Sequence, residues 1–443
     1  MISPQAPLWG SETEKAIANF PISFQPIPRD VVRWLGRIKA AAALVNGELG
    51  LIDNGIAIRI ARAATEVADG RHDAQFPIDV FQTGSGTSSH MNANEVIARL
   101  AGDDVHPNDH VNVCQSSNCV FPAAVHMAAV DVAVNILLPA LERLAATFEE
   151  KSREFDEVVK AGRTHMMDAV PVTLGQEFGG YAAQIRKAAR RVDAVLEALA
   201  EIPLGGTATG TGLNVHPEFA SRVRERLAAE TGLPVRAPTD TFEATGARDG
   251  LVEASGALRS AAVSLLKIGN DLRLLSSGPR TGFGEILLPE LQKGSSMMPG
   301  KVNPVIIEAV TQVACQVIGN DTVVALAGSQ GQLELNAYVP VMARNLLESM
   351  HLLARGSDVF AEKCVAGIVA DRERCDYFAE RTAATATSLT PYIGYDRVDE
   401  IVREAVRTDR PVKDIALDRG VQPELVARHL DPLAAARGGH SDA

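Results

Sequence analysis

The chain is expected to be mainly α, organised around a bundle of long helices. Apolar residues make up 46% of its 443 residues but aromatics only 5%, and alanine-rich runs such as AAALV (41–45) and AAVHMAAVDVAV (123–134) recur. That mixture favours closely packed helices over sheets. Four segments carry apolar residues at three- and four-residue spacing, and each is bounded by a Gly- or Pro-marked break. Two of them run past the usual length of a globular helix, and helices that long pack side by side.

In chain order, residues 1–112 mix short helical patterns with loops rich in Gly, Ser, Asn and Pro, which marks an N-terminal mixed or helical domain. Residues 113–372 form the central domain, with helices expected from Pro122 to about Phe155, Pro171 to about Leu199, Phe242 to about Ser276 and Pro304 to about Leu326. The pattern shortens after Cys375 (DRVDEIVREAVR, VKDIALDRG), so residues 373–443 are expected to be a small C-terminal helical domain. No repeat of solenoid length is present.

Charge narrows the range of partners. The net charge is −12, from 55 acidic against 43 basic residues, with no block of like charge. Nucleic acid and membrane surfaces are therefore excluded as partners. No run of about 18 uninterrupted apolar residues occurs, and MISPQAPLWGSETEK lacks the basic-then-apolar order of a signal peptide. A cytoplasmic protein is expected. The five cysteines are odd in number and without a C-x-x-C pair, so they read as reduced thiols rather than a disulfide framework or a zinc site.

Chemistry is sought in the polar loops, because a rigid bundle fixes its loops relative to one another. FQTGSGTSSHMNANE (81–95) sets Thr83, Ser85, Thr87, Ser88 and Ser89 among glycines ahead of a helix. Its hydroxyls suit a carboxylate, although from this stretch alone an N-cap with a flexible lead-in is the favoured reading. HPNDHVNVCQSSNCVFP (106–122) places Ser116, Ser117 and Asn118 before the first long helix, where unpaired amides and positive potential attract an anion. His106 and His110 have metal-like spacing, but Pro107 argues against a regular helix there. GRTHMMDAVP (162–171) packs Arg163, Thr164 and His165 into a turn, with His165 a candidate acid, base or binding residue.

GSSMMPGKVNP (294–304) is the richest stretch. Asn303-Pro304 reads as an N-cap followed by proline at the first helical position. Lys301 then stands ahead of a positive helix end, an arrangement for gripping a carboxylate. Glu308 lies about one turn into that helix, and Gly294 to Met298 forms a segment free to close over a ligand. LGGTATGTGLN (204–214) lacks the ending of a phosphate-binding P-loop and reads as a tight turn between helices.

These loops, in this order, resemble the aspartase/fumarase superfamily, most closely its class II fumarate hydratases. The likeness runs from PLWGSETEKAIANFPI to SLTPYIGYDR (388–397), and GSSMMPGKVNP is similar to the superfamily's signature loop. LRLLSSGPR and the V-I-I-E after GKVNP lean towards aspartase. The resemblance implies a homotetramer with a twenty-helix bundle and active sites shared between three subunits. It also implies a tricarboxylic acid cycle activity on a small dicarboxylate, with no cofactor and no metal. Ser295 matches the catalytic base, Lys301 and Asn303 match residues holding the substrate carboxylate, and Ser85, Thr87, Ser116, Ser117, Asn118 and Thr164 match substrate contacts. His165 and Glu308 match a paired histidine and carboxylate. The reaction implied is anti elimination from a 2-substituted succinate to give fumarate.

The second loop departs from the family. Where members typically read VNKSQSSND and then P-T, this chain has Val113, Cys114, Cys119 and Ala123; His90 replaces a usual asparagine, and Asp103 stands where some fumarases carry an arginine of a second anion site. A positive and a negative charge are both lost. Malate dehydration is therefore the leading expectation, an aspartase-like carbon–nitrogen lyase the alternative, and a non-catalytic protein that kept the fold the third.

Overall fold

A computed structural model of the chain describes residues 6–438. It is mostly helical, and its strands are confined to two small antiparallel pairs among the described residues. The first helices are α1 (Ser11–Asn19), α2 (Arg29–Glu48), α3 (Asn54–Ala68) and α4 (Thr87–Ala101). A helix of 38 residues, α5 (Ser117–Glu154), follows, with one π turn at Ala133–Leu137. It starts a turn before the expected Pro122, because the Ser116 hydroxyl accepts from the Asn118 amide and caps it there. By composition α5 could cross a bilayer, but 67% of its most apolar window is buried in the protein, as in a core helix.

The other long helices are Leu174–Ala194, Asp249–Leu275, Val305–Gly328 and Val339–Lys363. The last was not among the four expected, although Met342, Leu346, Leu347, Met350, Leu353 and Ala354 give it a buried stripe of helical period. The helix expected from Pro171 begins at Leu174 instead. Residues before it form a β-hairpin, β1 (Val159–Thr164) and β2 (Met167–Thr173), in which Pro171 pairs with Ala161.

The chain divides into two compact units, 1–139 with 188–263 and 313–354, and 140–187 with 264–312 and 355–443. Every boundary falls inside a long helix, so space partitions the chain differently from sequence order. In the first unit α2 buries Val31, Leu35, Ile38, Ala42 and Val45. Gly36 lets α3 approach: a Cβ there would lie 2.7 Å from the Ala64 carbonyl oxygen. Trp34 anchors α2 to α5 through its indole N–H, which donates to Asp131 at 2.9 Å. In the second unit Phe148, Phe155, Phe178, Tyr181 and Phe360 form an edge-on aromatic cluster with centroids 5.3–5.9 Å apart. The C-terminal helices close over Leu389, Ile401, Ile415 and Val426.

Candidate active site

In the first unit the helix starts of α4 and α5 carry the expected hydroxyl cluster. Ser85 Oγ and Thr87 Oγ1 are 2.7 Å apart, and Thr87 Oγ1 is 2.8 Å from Ser117 Oγ, giving a chain of hydroxyls across two helix N-termini. Glycine makes this approach feasible. A Cβ on Gly86, whose φ is +78°, would lie 2.2 Å from the Phe121 ring, and one on Gly84 would lie 1.5 Å from the Ala337 carbonyl oxygen. Asn118 Nδ2 donates to the Ala208 carbonyl at 2.8 Å, so the 204–214 turn also supports the site. Pro122 brings no N–H to the Asn118 carbonyl, leaving that oxygen without its helical donor. Thus Ser85, Thr87, Ser116, Ser117 and Asn118 are brought together, with Ser116 acting as the cap.

Behind this cluster lies a group that sequence reasoning missed. Lys39, fully buried in the middle of α2, places Nζ 2.9 Å from His90 Nε2 and donates to Asn112 Oδ1 at 3.0 Å. Burial pushes its pKa down to about 7. Burial, and then the charge of Lys39, holds His90 well below the usual imidazole range, so His90 is neutral. Cys119 is buried beside them, its thiol pushed up by burial and donating to the Ser116 carbonyl at 3.3 Å. The departures at positions 90 and 119 therefore share one pocket. A lysine in an alanine run gives no sign of burial in sequence; the replacement at His90 was the available signal.

His106 and His110 do not point to a common centre. His106 Nδ1 accepts from the Asn108 and Asp109 amides, and His110 Nδ1 accepts from the His106 amide.

The second unit holds the other candidates. Thr164 and His165 sit exposed at the hairpin tip, where His165 and Met166 turn through φ of +55° and +63°. Two successive left-handed residues match the twist of a two-residue hairpin, and neither is glycine, which is why the turn was hidden in sequence. Below the tip Arg163 is locked in place. Its Nη1 donates to Glu285 Oε2 at 2.9 Å, Nη2 lies 2.9 Å from Oε1, and the guanidinium stacks 4.2 Å from the Phe283 centroid. Glu285 is fully buried and also faces Lys160 at 3.5 Å, which in turn pairs with Glu177 at 3.0 Å. These groups border a cleft of about 540 Å³ lined by Lys160, Arg163, Glu177, Tyr181, Lys267 and Asp271. It contains none of the expected site residues, and its charges are paired among themselves.

The 294–304 loop is closed on itself more tightly than its glycines suggest. A Cβ on Gly294 would lie 2.0 Å from the Lys301 carbonyl oxygen, and Asn303 Nδ2 donates to the Gly294 carbonyl. Ser295 Oγ accepts from the Met297 and Met298 amides, at 3.2 and 2.9 Å. Asn303 is not the cap that the sequence suggested. Pro304 takes that position, its carbonyl accepting from the Glu308 amide at 3.0 Å at the start of Val305–Gly328. Lys301 is exposed just ahead of that helix end. Glu308 is exposed too, and among the described residues no hydrogen bond or ion pair joins it to His165 within one chain.

Known proteins resemble this chain along nearly its whole length. Residues 2–319 match the lyase family, and residues 386–434 match the fumarase C C-terminus. The class II fumarate hydratase of Mycobacterium tuberculosis is 52% identical over 448 residues, covering 99% of this chain and 94% of that protein. That of Halobacterium salinarum is 52% identical over 439 residues, covering 97% and 93%. Among solved structures, class II fumarase from Schistosoma mansoni superposes with a TM-score of 0.95 at 35% identity, over 99% of this chain and 97% of that one. A fumarate lyase:delta crystallin from Brucella melitensis gives 0.95 at 45%, over 98% and 97%. The chain belongs to the aspartase/fumarase superfamily of lyases, within its class II fumarate hydratase family.

Proposed function

We propose that this protein catalyses the reversible dehydration of malate to fumarate, working as a cytoplasmic homotetramer whose active sites are each assembled from three subunits. The observation that carries the chemistry is the pair of backbone amides donating to Ser295 Oγ. A serine hydroxyl is far too weak an acid to be a base at neutral pH unless its alkoxide is stabilised, and two preorganised donors do that without reorganisation. Ser295 takes the proton from the carbon next to one carboxylate. The electron pair moves into that carboxylate as a dianionic aci form, which Lys301 and the N-terminus of the Val305–Gly328 helix stabilise. Hydroxide leaves from the adjacent carbon on the opposite face, protonated through water by His165, whose partner is Glu308 from a neighbouring subunit. Asn303, bonded to the Gly294 carbonyl in the closed loop, holds the carboxylate with Lys301, while Ser85, Thr87, Ser116, Ser117, Asn118 and Thr164 bind and orient the dicarboxylate.

The tetramer draws support from the Val305–Gly328 helix. Beyond Glu308 in its first turn, the exposed residues of this helix read Ala309, Gln312, Cys315, Gln316, Gly319, Thr322, Val323, Ala325 and Leu326, none of them charged, and Leu326 is 62% exposed. A surface like that suits burial against a second copy. The five unpaired cysteines suit a reducing compartment.

The less polar loop at Val113, Cys119 and Ala123 supports aspartate as a second reading, with ammonia leaving in place of hydroxide. Purified protein incubated with malate, with aspartate and with neither, while fumarate absorbance is followed, separates the two. Fumarate is expected from malate; fumarate from aspartate alone would replace the first reading by the second. Ser295→Ala is expected to lower kcat by about 10³-fold with the oligomer intact, and a variant of near wild-type activity would remove Ser295 as the base.

A further inference from the structure

Lys39 is the buried cation of the first unit that neither the fold nor the proposed chemistry explains. Three elements converge on its Nζ: α4 brings His90, the turn after Val111 brings Asn112, and α5 brings Cys119, close enough for a thiolate there to raise the lysine's pKa. No carboxylate lies within ion-pair distance of Lys39 among the described residues. The buried side chains of α3 are Ala57, Ile60, Ala61, Ala63, Ala64 and Val67. Those of the Phe219–Thr231 helix are Phe219, Val223 and Leu227. The charged residues of that helix nearest α2, Arg222 and Arg226, pair with Glu48, about two and a half turns along α2 from Lys39. His106 and Asp109, in the π turn before Asn112, are exposed. A buried ammonium normally requires a counter-ion, and this one has only neutral acceptors.

The position of the amine is what gives this a use. His90 lies one helical turn after Thr87 on α4, Cys119 lies two residues after Ser117 on α5, and Thr87 and Ser117 are the hydrogen-bonded hydroxyls at the two helix starts. The amine is thus held by residues that lie within one helical turn of the hydroxyls read as dicarboxylate ligands. We infer that Lys39 is a positioning residue that supplies the missing positive charge of the Thr87–Ser117 site, taking up a proton when a dicarboxylate dianion binds, so that substrate affinity is linked to pH. The balance is one proton from solvent onto Nζ for each lysine that is neutral before binding and charged after it. His90 accepts a hydrogen bond in the charged state through Nε2, which fixes its proton on Nδ1. In the empty site the lysine titrates at about 7, so proton uptake peaks between that value and the higher one it takes with the dianion bound, and fades above both. Well below the lower value it is already charged, and binding takes up no proton. This inference rests on the reading of Thr87 and Ser117 as substrate ligands.

The test is KM for malate and for fumarate between pH 6 and 9 in the wild type, in Cys119→Asp and in Lys39→Met. The aspartate gives the amine a fixed counter-ion and keeps it charged throughout; the methionine removes the charge. KM of the wild type is expected to rise about tenfold over this range, the equivalent of a rise of about one unit in the lysine's pKa on binding. In both variants the rise is expected to vanish, while Lys39→Met has the higher KM at pH 6. Titration calorimetry with succinate, a dicarboxylate with no leaving group, in two buffers of different ionisation enthalpy is expected to report proton uptake at pH 8 in the wild type and none in Lys39→Met. A wild-type KM that is flat with pH, or a rise that survives in Lys39→Met, overturns the inference while leaving the functional reading standing. Absence of turnover with either substrate overturns the functional reading, and this inference with it.

Discussion

Replacing Glu285 by glutamine removes one of two carboxylates that balance two buried cations. In the native arrangement Lys160 and Arg163 face Glu177 and Glu285, with Glu285 fully buried and Lys160 1% exposed. After the substitution one positive charge in this group has no partner. The Coulomb energy of a pair at 2.9 Å is about 6 kcal/mol at an effective dielectric of about 20, which bounds the loss from above. Breaking a buried pair by removing one member costs about 3–5 kcal/mol, because the survivor stays desolvated. Glu285→Gln is therefore expected to lower the unfolding free energy by about 3–5 kcal/mol in urea titrations at matched protein concentration. The double variant Arg163→Met/Glu285→Leu removes both charges and leaves Lys160 with Glu177, so it is expected to lose much less than the single variant. Since Arg163 immediately precedes Thr164 and His165, kcat is expected to fall in both. A loss below about 1 kcal/mol in Glu285→Gln, or a double variant as unstable as the single, would refute the argument that charge balance holds the hairpin in place.

Leu326→Glu puts a charge on the exposed apolar face of the Val305–Gly328 helix, and is expected to give monomers or dimers by sedimentation, with turnover lost. Glu95→Ala removes the carboxylate that accepts from the Gly10, Glu12 and Thr13 amides and from Thr13 Oγ1. It is expected to cost about 2–3 kcal/mol and to raise hydrogen exchange across Ser11–Asn19. Burial lowers Lys39 from 10.5 to about 7, so between these values the unfolded chain binds more protons than the folded one. Stability is then expected to rise with pH across this window, by up to about 1.4 kcal/mol per unit from this group, and the contribution to be absent in Lys39→Met.

The parts of the site that sequence made legible are those whose backbone demands particular residues. Gly84 and Gly86 admit Ala337 and Phe121 in a loop that the sequence marked, and Pro304 opens the next long helix within one residue of where the sequence pointed, whereas Ser116 caps α5 more than a turn before the expected Pro122. The hairpin was not legible, because its turn is His165-Met166 rather than a glycine pair, and because Pro171 reads as a helix start when it in fact pairs with Ala161 across the sheet. The closure of Gly294 against Lys301 was also hidden: a loop rich in glycine reads as mobile, whereas here glycine is what lets two backbones touch. Lys39 illustrates the remaining gap, since burial of a side chain on α2 is decided by α4 and α5 packing across it.

One device recurs wherever this chain presents groups suited to an anion. The starts of α4, α5 and the Val305–Gly328 helix carry the backbone amides of a first turn, with the hydroxyls of Thr87 and Ser117 beside the first two and Lys301 ahead of the third. Recognition built on backbone amides tolerates changes in the side chains behind it, and Ser116 still caps α5 while Ser117 still meets Thr87 with Val113, Cys119 and Ala123 around them. Those replacements alter electrostatics instead. With an acid at 119 the lysine behind the site would be permanently charged; with Cys119 and neutral His90 its charge depends on pH and on the bound dianion. The divergence of this loop is thus expected to appear in how affinity varies with pH, while the elimination proposed for Ser295 and its loop amides is expected to be little changed.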